Sequence, residues 1–285
     1  MAVLGRVPDP RQYHGSVNAS VQERLGRVAG RHSVLLKELR RAFARAERTR
    51  DGYLAIESVR IVEEAIRSGL RFRAVFFAES AQPTARRLLP QIGSQVETLL
   101  VPDRLFADVV ATESPQGVAA LVHLTDFDLE DGLRTPQPLL LLAAGIQDPG
   151  NLGTMVRSAE AFGAAGVLLG EKTVSPFNPK VVRAAAGSLF RLPVISVAAG
   201  EAIGTLRSRG LRVVAASSHK GTRLDQAKLD GPLALVVGSE AAGVPKDVLK
   251  LADELVMIPH APRVESLNVG VAASIVLYEA ARQRR

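Results

Sequence analysis

The 285-residue sequence contains no cysteine and no tryptophan, and only 4% of its residues are aromatic. The absence of cysteine excludes disulfides, thiolate catalysis and cysteine-based zinc sites. The scarcity of aromatic rings argues against a binding surface built mainly on the stacking of bases. The five histidines have no ligand-like spacing, so we predict no metal site.

The sequence also lacks a run of about 20 uninterrupted apolar residues, the length that a membrane-spanning helix needs. Its first 20 residues do not show the charged-then-apolar pattern of a signal peptide. We therefore expect a cytoplasmic protein with no membrane partner. With 47% hydrophobic and 23% charged residues, the chain can bury one large core or, as we expect, the cores of two domains.

Positive charge is concentrated in the first half of the chain, where residues 1–125 hold 18 basic and 13 acidic residues. Four cations recur at helical spacing on one side of a predicted helix, namely Lys37, Arg41, Arg45 and Arg48. The other side is apolar, with Leu35, Leu39, Ala42 and Ala46. This basic stripe predicts contacts with phosphate groups, although a solvated helix face is the commoner reason for such a charge run.

The hydrophobic pattern divides the chain into four segments. We predict a flexible N-terminus at residues 1–20, a basic region at 21–125, a linker at 126–137 and a larger α/β domain at 138–285. The basic region itself reads as a small α/β module. Its predicted helices run to about Arg50 and then cover 56–67, 83–91 and 103–110, with strands at 73–78, 96–101 and 117–124.

The larger domain begins with a continuous apolar run at residues 139–146, as expected of a buried parallel strand. Further strands are predicted at 166–169, 192–197, 211–216, 233–237 and 254–258. Polar clusters follow three of these strands. Ligand sites in α/β proteins form at the carboxyl ends of parallel strands, so we expect the three clusters to meet in one site.

The first polar cluster, residues 147–153, precedes a helix predicted at 154–162. Asn151 lies in the predicted turn. Arg157 and Glu160 share one face of the helix, where a structural salt bridge between them is an alternative to a catalytic role. The pattern Gly150-Asn151-Leu152-Gly153 is only part of a dinucleotide-binding fingerprint, so a nicotinamide-dependent dehydrogenase is a weaker alternative.

The second cluster, residues 238–245, contains Glu240, and the third, residues 258–268, contains two prolines that stiffen the loop. Ser266 is the predicted N-cap of the helix that follows. That helix is apolar on two faces, which predicts burial in the core or against another subunit. For Glu240 and Asn268, a structural role in capping the loops is the alternative to a functional role.

Together the three clusters resemble the SpoU class of the SPOUT superfamily, RNA methyltransferases that transfer a methyl group from S-adenosylmethionine to a ribose 2′-hydroxyl. The matching residues are Asn151, Arg157, Glu160, Gly238-Ser239-Glu240, Gly243, Ile258-Pro259 and Ser266-Leu267-Asn268-Val269. Ala241 departs from the glycine that is common in the family. Residues 50–125, with Ser-Pro-Gln-Gly-Val at 114–118, look similar to the ribosomal-protein-like substrate-binding domain often fused ahead of this catalytic domain.

The resemblance implies an α/β fold: a parallel sheet flanked by helices, a C-terminal segment threaded into a trefoil knot, and a smaller N-terminal α/β domain. The active-site positions that it implies are Asn151, Arg157, Glu240, Ser266 and Asn268. The implied contacts with S-adenosylmethionine are at Gly238, Ile258 and Leu267. It also implies a homodimer in which a neighbouring subunit completes the site, with the apolar helix after Asn268 as part of the interface.

We therefore expect methylation of a ribose 2′-hydroxyl, with large-subunit ribosomal RNA as the leading substrate because of the basic N-terminal region. A tRNA ribose methyltransferase, the dehydrogenase and a non-catalytic RNA-binding module are the alternatives. Arginine outnumbers lysine 29 to 7, a composition found in GC-rich bacteria, some of whose antibiotic-resistance methyltransferases have this layout. A housekeeping role and a resistance role both remain open.

Overall fold

A computed structural model of the protein describes residues 24–28, 30 and 33–285. The chain divides between Leu124 and Thr125 into two units. The predicted flexible N-terminus, residues 1–20, lies outside the described residues. Among the helices that are described, none is long and apolar enough to cross a membrane.

The first unit contains a five-stranded mixed sheet. Its strands are β1 Leu25–Arg27, β2 Tyr53–Glu57, β3 Arg71–Ala78, β4 Glu97–Val101 and β5 Val118–His123. In the order β1-β4-β3-β5-β2, the first three strands are parallel and β5 is antiparallel to both of its neighbours. The helices of this unit are α1 Val34–Arg45, α2 Val59–Arg67, α3 Gln82–Leu88 and α4 Asp103–Ala107.

Helix α1 carries most of the predicted basic stripe. Ser33 caps its start by accepting a hydrogen bond from the backbone N–H of Leu36, and its apolar face is buried in the core of this unit. Lys37, Arg41 and Arg45 are exposed. The helix ends before Ala46, which is left-handed with φ 52°. Arg48 therefore lies beyond the helix and is half-buried, and its predicted place on a helical stripe is wrong.

Two strands of the first unit lie where the sequence pattern predicted helix. Strand β1 pairs with β4 inside the region predicted to be helical up to Arg50, and the guanidinium of Arg24 fastens it by donating to the carbonyls of Leu89, Ile92 and Gly93. Strand β2 includes Ile56, the predicted start of a helix. Short apolar runs fit either periodicity, so the pairing partner decides between them.

The second unit contains a seven-stranded sheet in which every pairing is parallel. The strands are β6 Leu139–Ala144, β7 Gly166–Leu169, β8 Val194–Ser196, β9 Arg212–Ser217, β10 Thr222–Arg223, β11 Leu233–Gly238 and β12 Glu254–Met257. Their order is β10-β12-β9-β11-β6-β7-β8. Strands β6 and β11 are buried along their whole length, as expected of central strands with both faces covered. The predicted parallel α/β fold is confirmed.

Six helices accompany this sheet: α5 Leu129–Gly132, α6 Pro149–Ala161, α7 Pro179–Ala185, α8 Ala199–Ser208, α9 Lys246–Leu249 and α10 Val269–Gln283. Helix α5 lies within the segment predicted to be a linker, and its Glu130 accepts a hydrogen bond from Arg209 at 2.7 Å. Helices α6 and α7 approach closely at Gly153, where an added Cβ would lie 2.4 Å from the Cβ of Ala184. Glycine at this position therefore permits the packing of the two helices.

The last helix, α10, is fixed at its C-terminal end. Gln283 accepts a hydrogen bond from the N–H of Leu229 at 2.7 Å and donates to the carbonyl of Ala227 at 2.9 Å. Arg284 donates to the carbonyls of Gln137 and Leu229, both at 3.2 Å, and to that of Gly231. Burial lowers the pKa of Arg284. These contacts hold the helix close to the starts of β6 and β11.

Replacement of Arg284 by alanine removes three charged hydrogen bonds to backbone carbonyl groups, two of which are partly buried. We expect Arg284→Ala to lower the free energy of unfolding by about 2 kcal/mol, measured by urea denaturation. Arg285→Ala is the matched control, because Arg285 is exposed and its side chain makes no hydrogen bond or ion pair among the described residues. Equal midpoints for the two variants would contradict the anchoring role.

Candidate active site

Three loops of the second unit meet in a hydrogen-bonded cluster of Asn151, Glu240 and Asn268, which we call the amide–carboxylate cluster. Asn151 donates from its side-chain nitrogen to a carboxylate oxygen of Glu240. Asn268 donates to the side-chain oxygen of Asn151 at 3.0 Å and reaches the same Glu240 oxygen at 3.5 Å. The loops after β6, β11 and β12 thus contribute one residue each. Their predicted convergence is observed for these three residues.

Asn151 is placed by the start of helix α6. Asp148 caps this helix by accepting a hydrogen bond from the N–H of Asn151 at 2.8 Å. That bond, with Lys180 at 3.7 Å, lowers the pKa of Asp148. The helix begins at Pro149, five residues before the predicted start, because proline suits the first turn and Asp148 supplies the cap. The prediction that Asn151 lies in a turn is therefore wrong.

Asn268 also begins a helix. Its side-chain oxygen accepts a hydrogen bond from the N–H of Val271 at 3.1 Å, so Asn268 is the N-cap of α10 and the predicted cap, Ser266, is not. One side chain thereby caps the helix with its oxygen and joins the cluster with its nitrogen. Gly270 leaves room for this, since an added Cβ would lie 3.3 Å from the Asn268 oxygen and 3.4 Å from the Asn151 oxygen.

The loop that carries Glu240 is a tight backbone turn. Ser239 and Gly243 exchange two backbone hydrogen bonds, at 3.1 and 2.8 Å. An added Cβ at Gly238 would lie 2.1 Å from the Gly243 carbonyl, so only glycine allows this approach. Gly243 has φ 67°, whereas Ala241 is outside the left-handed region. The departure from glycine at Ala241 therefore places no strain on the loop.

A cavity of about 410 Å³ lies beside the cluster. Its lining includes the three residues predicted to contact a cofactor, Gly238, Ile258 and Leu267, together with Glu240 and Ser266. The remaining walls come mainly from the strand end and loop after β9, the rest of the loop after β11, and the first turn of α10. The cavity is therefore enclosed by the carboxyl ends of three adjacent strands, the place where α/β proteins bind ligands.

Arg157 is the predicted catalytic residue that the fold brings neither to this cluster nor to the lining of the cavity. It is exposed on α6, six residues and about 9 Å along the helix axis from Asn151. Glu160 pairs instead with Arg191 at 2.6 Å, and this bond lowers the pKa of Glu160. The alternative of an Arg157–Glu160 salt bridge is therefore wrong. Within residues 24–28, 30 and 33–285, the Arg157 side chain makes no hydrogen bond or ion pair.

The loop after β9, residues 218–220, lines the cavity, and the sequence pattern did not indicate it as part of the site. His219 and Lys220 belong to this loop. The ring of His219 lies 6.4 Å from that of His260, centroid to centroid, and His260 Nδ1 lies 2.7 Å from the carbonyl of Ile258. The only feature of the sequence that could have indicated this loop is its position directly after a predicted parallel strand. In the described part of the chain, no group of three or more His, Asp or Glu residues is placed to hold a metal ion.

Substitutions in the loop after β11 test its geometry. Gly243→Ala puts a side chain at positive φ, and we expect a loss of about 1–2 kcal/mol in the free energy of unfolding. Ala241→Gly introduces only extra freedom in the unfolded chain, with an expected loss of about 0.4–1 kcal/mol. Guanidinium denaturation of both variants measures the difference. A larger loss for Ala241→Gly than for Gly243→Ala would contradict a positive φ at Gly243.

Two family models match the chain. Residues 138–278 match the SpoU rRNA Methylase family, and residues 35–120 match the MRM3-like substrate binding domain. The 23S rRNA (guanosine(2553)-2'-O)-methyltransferase RlmP of Bacillus subtilis is 32% identical over 85% of this chain and 94% of its own. The 23S rRNA (guanosine-2'-O-)-methyltransferase RlmB of Vibrio parahaemolyticus is 38% identical over 59% of this chain and 71% of its own.

Solved structures show the same fold. The SpoU methyltransferase AviRb from Streptomyces viridochromogenes, in complex with AdoMet, superimposes with a TM-score of 0.79 at 28% identity, covering 88% of this chain and 98% of its own. The AdoMet-bound rRNA methyltransferase from Sinorhizobium meliloti gives a TM-score of 0.77 at 27% identity, with 91% and 98% covered. The chain therefore belongs to the SpoU rRNA methylase family. This membership argues against the dehydrogenase alternative.

Proposed function

We propose that the protein methylates a ribose 2′-hydroxyl of large-subunit ribosomal RNA, with S-adenosylmethionine as the methyl donor. The observation that carries the proposal is the amide–carboxylate cluster beside the 410 Å³ cavity. Relatives named as 23S rRNA methyltransferases favour ribosomal RNA over tRNA. A ribosomal substrate would place the reaction in the cytoplasm.

The cavity fits S-adenosylmethionine in size and in chemistry. Its volume lies within the range of about 300–1,000 Å³ that small-molecule sites occupy. Ile258 and Leu267 offer apolar contacts for an adenine ring, and Gly238 keeps the wall free of a side chain. Glu240 would place a negative charge near the sulfonium. The bound cofactor supplies a methyl group on a good leaving group, so the protein chiefly has to align the two reactants.

Alignment can contribute about 7–11 kcal/mol to such a reaction in favourable cases. We assign Asn151, Glu240 and Asn268 to the positioning of the ribose, and Ser266 to the rim of the cavity near the reacting hydroxyl. The role of Arg157 is to orient the ribose and its phosphate and to stabilise the developing alkoxide. A guanidinium is a poor base but a strong, planar donor of hydrogen bonds to anions.

Arg157 would serve the cavity of a second copy of the chain. It is exposed, without a side-chain partner in the described part of the chain, and remote from its own cluster. It also lies next to Ser158, whose hydroxyl lies 2.7 Å from that of Ser274 on α10. The uncovered side of α10 carries Val271, which is 48% exposed, and Tyr278, which is 52% exposed. We propose that this side of α10 forms a homodimer interface.

Two further features of the family resemblance belong to the proposal. Lys37, Arg41 and Arg45 on α1, with Arg48 just beyond it, would contact RNA phosphates. The trefoil knot would be formed as the segment after β12 passes to α10, which packs on α6 and is fastened at Arg284.

Resistance to a ribosome-targeting antibiotic is a narrower form of the proposal. It is tested by the drug susceptibility of a host whose ribosomes carry the methylation.

Removal of the Arg157 guanidinium should separate catalysis from binding. We expect Arg157→Ala to reduce methylation of ribosomal RNA by at least about 100-fold, since a preorganised donor to a developing anion contributes about 10²–10³. Affinity for S-adenosylmethionine and thermal stability should stay at wild-type values. Arg157→Lys keeps the charge without the planar fork and should retain intermediate activity. Near-normal turnover in Arg157→Ala would refute the assigned role.

The dimer proposal predicts a loss of assembly when charge enters the exposed face of α10. We expect Val271→Asp to convert the protein to a monomer in light scattering coupled to size-exclusion chromatography, and to lose methylation with it. Val34→Asp is the control, because Val34 is 75% exposed on α1 in the first unit. A wild-type protein that is monomeric at micromolar concentration would contradict the proposal.

A further inference from the structure

The cavity has opposite charges on two of its walls. Among the described residues that line it, Lys220 is the only lysine or arginine and Glu240 is the only aspartate or glutamate. His219 and His260 are its other ionisable groups. A ligand that fills this space therefore meets one fixed cation and one carboxylate.

The loop that presents Lys220 is held firmly in place. The backbone N–H of Lys220 donates to the hydroxyl of Ser217 at 3.2 Å. The next residue, Gly221, has φ 108°, and an added Cβ there would lie 2.2 Å from the carbonyl oxygen of Leu255 on β12. The turn is thus packed directly against the neighbouring strand, which fixes where the lysine stem begins.

The ammonium of Lys220 is available for a ligand. The residue is exposed, and in the described part of the chain its side chain makes no ion pair or hydrogen bond. Lys220 is not a member of the amide–carboxylate cluster, whose hydrogen bonds join Asn151, Glu240 and Asn268. Because Lys220 lines the cavity, its ammonium would form an ion pair with a negatively charged group of a bound ligand.

The order of the strands places the two charges on neighbouring loops of the cavity. Along the carboxyl edge of the sheet, the loops follow β12, β9, β11 and β6 in that order. Glu240 follows β11 and Lys220 follows β9, which pairs directly with β11, so the two loops begin one interstrand step or roughly 5 Å apart. A cofactor with its sulfonium beside Glu240 can extend its amino-acid chain along this edge towards Lys220.

We propose that Lys220 binds the carboxylate of the methionyl part of S-adenosylmethionine. This inference rests on the proposed function, since it assumes that S-adenosylmethionine occupies the cavity. The methionyl carboxylate is the only negative group of the cofactor, and Lys220 is the fixed positive group in the described lining. The contact selects cofactors that carry an intact amino acid and leaves the adenosyl part to the loops after β11 and β12.

Calorimetry with a matched pair of ligands tests this contact. Decarboxylated S-adenosylmethionine keeps the sulfonium, the amine and the adenosine and lacks only the carboxylate. We expect Lys220→Ala to weaken binding of S-adenosylmethionine about tenfold to 100-fold, the effect of a charged hydrogen bond. Affinity of the same variant for the decarboxylated ligand should equal that of the wild type. The loss of the lysine and the loss of the ligand carboxylate then have non-additive effects on the binding free energy, as in a double-mutant cycle.

Control variants separate this role from general effects. Lys250→Ala removes an exposed lysine that does not line the cavity and should leave both affinities unchanged. Lys220→Arg should keep affinity for S-adenosylmethionine within about threefold, because the charge remains. Thermal melting of Lys220→Ala should match the wild type, since the side chain has no partner within the described residues.

Different results would refute the contact between Lys220 and the carboxylate and the proposed methyltransferase function. Equal losses of Lys220→Ala for both ligands, or no loss for either, would overturn the carboxylate contact while leaving the methyl donor in place. A selective loss in His219→Ala with none in Lys220→Ala would assign the carboxylate to the histidine and overturn the proposal. Absence of S-adenosylmethionine binding to the wild-type protein would instead refute the proposed function.

Discussion

The hydrogen-bonded cluster of Asn151, Glu240 and Asn268 is the constraint on which the rest of the site depends. Each residue belongs to a different strand end, so the cluster exists only when β6, β11 and β12 are in register and their loops are closed. Its two amides also lie at the starts of helices, Asn151 within the first turn of α6 and Asn268 as the cap of α10. The polar site and the helical packing are therefore stabilised by the same side chains.

Close backbone approach makes this arrangement possible. Gly153 lets α6 pack on α7, Gly238 lets the Glu240 loop fold on itself, and Gly270 leaves space at the head of α10. At the far end of α10, Arg284 joins the helix to three carbonyl groups. The helix is thus held both at the cluster and at the opposite edge of the sheet, which keeps Asn268 in a fixed position relative to the cavity.

The central parallel strands could be predicted from the sequence because continuous apolar runs are typical of strands that are buried on both faces. It also predicted that Asn151, Glu240 and Asn268 would meet, since all three follow such strands. It missed β1 and the early start of α6, where a pairing partner or a cap decides the structure rather than periodicity. It also missed Lys220, because a single lysine in a short loop carries no pattern. It also placed Arg157 at the same site, whereas the fold leaves that side chain exposed on α6, six residues beyond Asn151.

A map of ribose methylation tests most directly whether this chain modifies ribosomal RNA. Large-subunit RNA lacking the modification would be incubated with the protein and S-adenosylmethionine, and 2′-O-methylation would be read at every nucleotide. We predict one new site of near-complete methylation, dependent on the cofactor, with tRNA unchanged. Methylation of tRNA with none in ribosomal RNA, or of no RNA at all, would contradict this prediction.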